Sequence, residues 1–132
     1  MIKDLQIKSV IENLQTIEHL IDEISEEAQI CSSVCENIII ATTEAVSNCI
    51  IHGNKKNPEK SVFLHIEYDV KKVIIEVSDE GEGFDISMIP NPTNLGNLEV
   101  PNGRGIFLMR MLANEFSYDL EKRKFILKFE QK

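Results

Sequence analysis

Three short groups of residues have the types and spacing to do chemistry. Glu44, Asn48 and His52 recur at successive i, i+4 positions in a run that is otherwise largely apolar. On a helix that spacing sets all three on one stripe. If the stripe faces a ligand cavity, its carboxylate can act as a base and its amide oxygen can hold a hard metal ion. If it faces water, it is only a solvated edge. Asp79 ends the alternating series Val73, Ile75, Val77 and is followed by Gly81 and Gly83. The two-residue period of a strand aims Asp79 to the same side as those apolar residues. A carboxylate there needs a partner, and the glycines let a ligand approach the backbone closely. An Asp followed by glycines is also the ordinary composition of a turn. Gly103-Arg104-Gly105 opens a third apolar run. If that run is a helix, its free N–H groups and positive dipole end suit a phosphate, although helix starts tolerate glycine in any case.

These residues need elements to position them. Leu5 and Ile7 alternate with polar residues as a short first strand. Leu14, Ile17, Leu20, Ile21 and Ile24 recur at helical spacing and predict an amphipathic first helix. Residues from about Ser32 to His52 form a second helix, apolar on most sides and therefore buried, which Gly53 stops. The polar loop Asn54 to Lys60 precedes a strand through Val62, Leu64, Ile66 and Tyr68. A turn near Lys71-Lys72 returns it as Val73, Ile75 and Val77. Ile106 to Ala113 reads as a third helix. Phe116, Tyr118 and Leu120, then Phe125, Leu127 and Phe129, make a closing hairpin around Lys122-Arg123-Lys124, a solvated turn. From Gly83 to Gly103 there is no period, and a segment of that length in a compact domain reads as a lid or binding loop, over about residues 84–102. The fold class is α+β: a two-layer sandwich with a mixed, mostly antiparallel sheet and about three helices on one face.

Composition narrows the function. One domain over residues 1–132 is the length expectation. With 14 basic against 22 acidic residues the net charge is -8, which disfavours nucleic acid as a direct partner. The apolar stretches, such as Ile38-Ile39-Ile40-Ala41, read as too short to cross a bilayer, and the N-terminus turns polar at once, so the expectation is a cytoplasmic protein with no membrane partner. Cys31, Cys35 and Cys49 have no zinc or disulfide spacing and read as buried, reduced thiols.

Taken in order, Glu44-Ala-Val-Ser-Asn48-Cys-Ile-Ile-His52-Gly53-Asn54, Asp79-Glu-Gly81-Glu-Gly83-Phe-Asp85 and Asn102-Gly103-Arg104-Gly105-Ile-Phe-Leu-Met resemble the three nucleotide-binding boxes of the GHKL ATPase superfamily: gyrase, heat-shock chaperone, histidine kinase and MutL. Within it, the phrase Pro90-Asn-Pro92-Thr93 leading to Pro101-Asn-Gly103-Arg104-Gly105-Ile-Phe-Leu-Met-Arg is most similar to the small anti-sigma factor serine/threonine kinases of bacterial partner-switching systems. The resemblance covers essentially the whole chain. It implies ATP and Mg²⁺ as cofactors. Asp79 would accept the adenine amino hydrogen, and Asn48 would ligate the metal. Gly81 and Gly83 would line the base and ribose, and Gly103, Arg104 and Gly105 would close over the phosphates. Glu44 would be the catalytic base toward a partner hydroxyl, and His52 a phosphate contact or a local partner of the helix end.

The implied activity is an ATP-dependent regulatory protein kinase that phosphorylates an anti-sigma-factor antagonist. Its implied partners are that antagonist, a sigma factor and a second copy of the chain. The alternative is a regulator that binds nucleotide and sequesters a partner without phosphotransfer. A histidine-kinase catalytic domain and a gyrase- or MutL-type hydrolase fit less well, because no phosphoacceptor helix precedes the boxes and no transducer domain follows them. One departure stands out. Where the family commonly has a Gly-Thr pair opening the last strand, with the Thr aiding adenine recognition, this chain has Arg123-Lys124-Phe125.

Overall fold

The computed structural model describes residues 1–81, 101–119 and 121–131, with the side chains of 101–104 excepted. Gly83 and the expected lid up to residue 100 lie outside the described residues, as does Leu120. Five strands form one sheet: β1 (Ile2–Lys8), β2 (Ser61–Tyr68), β3 (Lys72–Asp79), β4 (Glu115–Asp119) and β5 (Lys124–Glu130). Their order across the sheet is β1-β2-β3-β5-β4, and every pairing is antiparallel. The register aligns the alternating apolar residues into cross-strand rows. Leu64, Val77 and Phe125 make one row, Ile66, Ile75 and Leu127 the next, and Tyr68, Val73 and Phe129 the third. All nine are buried. Burying a side chain of this size contributes about 1.5–3 kcal/mol, so these rows are the floor of the core.

Three helices cover that face: α1 (Leu14–Glu27), α2 (Ser32–Asn48) and α3 (Pro101–Leu112). In α1 the buried residues Ile17, Ile21 and Ile24 fall on one side, as their spacing requires. α2 lies centrally. It packs on α1, on α3 and on β3 and β5 of the sheet, which is why it is apolar on most sides. Ser32–Gly53 is 22 residues long and contains an 18-residue window with a mean hydropathy of 1.3, so by length and composition it could cross a membrane, contrary to the expectation from shorter stretches. Its buried residues, among them Ile38, Ala41, Ala45, Val46 and Ile50, are those of the central core helix described above. On the other side of the sheet Phe63, His65, Ile74, Glu76, Lys124 and Ile126 are half-buried or exposed.

The structure revises the expected elements at three places. α3 begins at Pro101, five residues earlier than its apolar period indicates, so Gly103-Arg104-Gly105 lies inside its first turns. Proline is favoured at that position because its missing N–H is unpaired there anyway. The second helix does not run as α-helix to His52: after Asn48 it widens into a π turn over Cys49–Gly53. Of the cysteines only Cys49 is buried; Cys31 is exposed at the start of α2, and Cys35 is half-buried beside Asp22.

Candidate nucleotide site

α2 brings Glu44 and Asn48 onto its face toward α3. Glu44 is half-buried, and Asn48 is 7% exposed. α3 meets them at Gly105. A Cβ added there would sit 3.0 Å from Asn48 Nδ2 and 3.0 Å from Glu44 Oε2, closer than side chains normally pack. Glycine lets the helix start approach a carboxylate and an amide that closely. Asn48 Nδ2 is buried without a hydrogen-bond partner among the described residues. An orphaned buried amide is costly, by about 1–3 kcal/mol, and such a group in a folded protein calls for a missing partner. Turned over, the amide would present an oxygen to the same space, and an amide oxygen is a hard-metal ligand. No cluster of three His, Cys, Asp or Glu side chains able to hold a metal occurs among the described residues. A Mg²⁺ ion at Asn48 would fit the mode in which phosphates and water supply much of its shell, which is usual for Mg²⁺.

The second half of the site begins one residue further along. The π turn is closed by the Asn54 N–H donating to Cys49 O at 2.7 Å, an i→i+5 bond. π turns inside helices occur frequently at functional sites. Here the turn puts Gly53 directly under Asp79. A Cβ at Gly53 would overlap the Asp79 carboxylate, and one at Gly81 would overlap the Gly53 carbonyl. Asp79 pairs with Val62 across β2, in line with the three apolar rows, so it does face inward as its spacing indicates. Its Oδ1 accepts the Gly81 N–H at 2.7 Å. Burial pushes the Asp79 carboxyl up; the Gly81 N–H, the Cys49 thiol, and the positive charges of Arg123 and Lys60 oppose that. The same neighbourhood pushes the Cys49 thiol well up, through burial first and then the adjacent Asp79 charge, so this thiol stays protonated.

His52 sits on the π turn. The wider turn carries it off a strict i, i+4 line with Glu44 and Asn48. It lines a cavity of about 610 Å³ with Gly53, Lys60, Gly81 and Arg123, among others. Burial, and then the positive charge of Lys56, hold its imidazole below the ordinary value. The structure thus places His52 toward Gly81, while Glu44, Asn48 and Gly105 meet on the side of α3. The backbones of Gly103 and Arg104 are in the first turn of α3. A separate cavity of about 460 Å³ on the open sheet face, among Asp4, Gln6, Phe63, His65 and Lys124, holds none of the residues singled out by their spacing.

Asn54, the last residue of the first box, received no role from sequence reasoning. Asn54 is 1% exposed. Its Nδ2 donates to Ser9 Oγ at 2.6 Å and to Ser61 O at 2.8 Å, and its Oδ1 accepts the Glu80 N–H at 3.0 Å. It ties the end of the π turn to the residue after β1, the start of β2 and the turn after Asp79. An Asn after a helix-stopping Gly reads as loop chemistry, and no local signal marks this one as buried.

The histidine kinase-like ATPase domain matches residues 7–129. An anti-sigma F factor of Clostridium botulinum (strain Eklund 17B / Type B) is 32% identical over 87 residues, 64% of this chain and 60% of that one. An anti-sigma F factor of Clostridium beijerinckii is 33% identical over 85 residues, 62% of this chain and 59% of the relative. One from Thermoanaerobacter sp. (strain X514) is 34% identical over 85 residues, 63% and 59% respectively. The matched stretch thus spans about 60% of the length of these relatives. Membership of an ATPase domain family implies ATP binding. With its match extending over residues 7–129, the chain belongs to the histidine kinase-like ATPase domain family.

Proposed function

We propose that this chain is an ATP-dependent regulatory serine/threonine protein kinase that acts as an anti-sigma factor and phosphorylates an anti-sigma-factor antagonist. The observation that carries the reading is the meeting of Glu44 and the Asn48 amide, unpartnered among the described residues, with Gly105 one turn into α3. A carboxylate and a metal-ligand amide converge there, one turn into α3 from its N-terminal end, and that end's positive dipole suits a polyphosphate beside a reacting hydroxyl. The anti-sigma F factor names of the relatives supply the class of partner.

Each residue has a physical task. Asp79, inward and held by the Gly81 N–H, accepts the amino hydrogen of adenine. Gly53 and Gly81 keep that end free of side chains. Asn48 would hold Mg²⁺, which when bound supplies charge neutralisation to the phosphates. Glu44 takes the proton of the partner's hydroxyl as that oxygen bonds to the terminal phosphorus, and ADP leaves. Phosphoryl transfer depends on positioning and electrostatics more than on covalent chemistry, so a small site on rigid elements suffices. Positioned base catalysis is worth on the order of 10²–10⁴-fold.

The test is paired. Purified protein is incubated with labelled ATP and candidate antagonists encoded by the same organism, and nucleotide affinity is measured by calorimetry. Labelled serine or threonine on one antagonist is the expected result. Glu44→Ala should keep ATP affinity near wild type and lose the labelling. Wild-type labelling by that variant would remove Glu44 from the role of base. Tight ATP binding without labelling of any antagonist would favour the second reading, a nucleotide-binding module that sequesters its partner. What favours it is Arg123-Lys124-Phe125 standing where the family's Gly-Thr pair is expected.

A further inference from the structure

The departure at Arg123 has a definite place in the structure. Arg123 closes the turn between β4 and β5, one residue before the Ser78–Lys124 pair, and so lies beside Asp79 at the end of β3. Its φ is 55°, in the left-handed region that favours glycine over any residue with a Cβ. Its Nη1 donates to Gly81 O at 2.8 Å, and the Gly81 N–H donates to Asp79 Oδ1 at 2.7 Å. The Gly81 residue is therefore held at both ends, by the guanidinium on one side and by the carboxylate on the other. Arg123 and Gly81 also share the wall of the cavity that His52 and Lys60 line.

We infer that Arg123 is a positioning residue of the base-binding end: by pinning Gly81 it fixes the Asp79 carboxylate for the purine amino group, in place of the contact the Gly-Thr pair would give. This rests on the nucleotide-site reading above and goes beyond it, since it assigns a role to the residue that breaks the family pattern. Arg123 is exposed, as the reading of a solvated basic turn expects, and from that position one of its donors is spent on one particular carbonyl. The groups facing Asp79 come from three segments: the Cys49 thiol from the turn after α2, Lys60 from the loop before β2, and Arg123 from the β4–β5 turn. Arg123 is the one of them whose hydrogen bond reaches Asp79 through Gly81.

Backbone geometry supplies an unusually clean test. Arg123→Gly removes the guanidinium and places the residue best suited to φ near 55°. The apo protein should melt at or above the wild-type temperature. ATP affinity, by calorimetry, should fall on the order of tenfold, because Gly81 and the Asp79 carboxylate are no longer held in place before the nucleotide arrives. The titration midpoint of the Asp79 carboxyl, followed by carbon-detected NMR in the apo protein, should move up, because a neighbouring positive charge is gone. Arg123→Lys, which keeps the charge but not the planar fork, should restore the midpoint and only part of the affinity. The midpoint is a readout that a merely structural turn residue would not move. Unchanged affinity and an unchanged midpoint in Arg123→Gly would overturn the inference. If the wild type itself binds no ATP, the nucleotide-site reading fails, while the Asp79 midpoint still decides whether Arg123 acts on this turn. Should Arg123→Gly not fold, the same measurements on Arg123→Lys and Arg123→Met decide it.

Discussion

Asp79→Asn separates what the site costs from what it does. The carboxyl is partly buried at the end of the inward-facing series of β3, and burial raises it above its ordinary 3.8 in spite of the Gly81 N–H, the Cys49 thiol, Arg123 and Lys60. An acid whose folded-state pKa is raised binds more protons folded than unfolded, so stability is greatest below 3.8 and is lost as pH rises through the raised value. At neutral pH the ionised carboxylate is therefore a net cost to the apo fold. Asparagine is neutral at every pH and keeps an oxygen for the Gly81 N–H. The apo variant should unfold at higher urea than wild type near pH 7, and the difference should vanish in acid. Binding should move the other way. The amide turns a donor toward the adenine amino group or forfeits an acceptor, and an unmatched buried polar group costs about 1–3 kcal/mol. That is roughly a five- to 150-fold weaker ATP affinity. Urea unfolding across pH and calorimetry with ATP give both numbers on the same samples. A variant that is less stable at neutral pH, or that binds ATP as wild type does, would show that Asp79 is a structural acid and not the base-recognition group.

Three further outcomes follow from the same geometry. Asn54→Ala deletes three hydrogen bonds from a buried side chain and should lower unfolding free energy by about 2–4 kcal/mol; a urea-measured loss under about 1 kcal/mol would mean that water replaces them. Gly105→Ala, which in an open helix would gain up to about 1 kcal/mol, should gain nothing and should weaken ATP binding, because its Cβ would sit 3.0 Å from both Asn48 and Glu44; a variant stabilised in full with ATP affinity unchanged would refute the close approach. His65 bridges Asp4 on β1 and Glu67 on β2, and those bonds raise its imidazole above the ordinary value. The stability it adds is fully present below about pH 6.5 and lost as pH rises through the folded value, and being exposed it should be under about 1 kcal/mol; His65→Gln should flatten that part of the pH–stability curve in urea titrations.

How far the sequence discloses this molecule depends on whether a signal is local. The alternation of Val62 to Tyr68, Val73 to Val77 and Phe125 to Phe129 is local, and the three cross-strand rows follow from it almost without choice. The i, i+4 spacing of Glu44 and Asn48 is local too, and the structure sets both against Gly105. His52, at the same spacing, lies past the point where the helix widens, and no residue type announces a π turn. Its cause is tertiary: Gly53 must lie under Asp79, from a strand 26 residues further on. Asn54 and Arg123 were read as loop and turn residues for the same reason. Each makes its decisive hydrogen bonds to backbone that is distant in sequence: Ser9 and Glu80 for Asn54, Gly81 for Arg123. Both act on the one short turn, Asp79 to Gly81, that the base-recognition reading needs fixed. In a fold this small the candidate site residues Glu44, Asn48 and Asp79 are carried by helix and strand, where periodicity shows them. The residues that hold them in place sit where the chain reverses, and there only the three-dimensional contacts distinguish a positioning group from a solvated one.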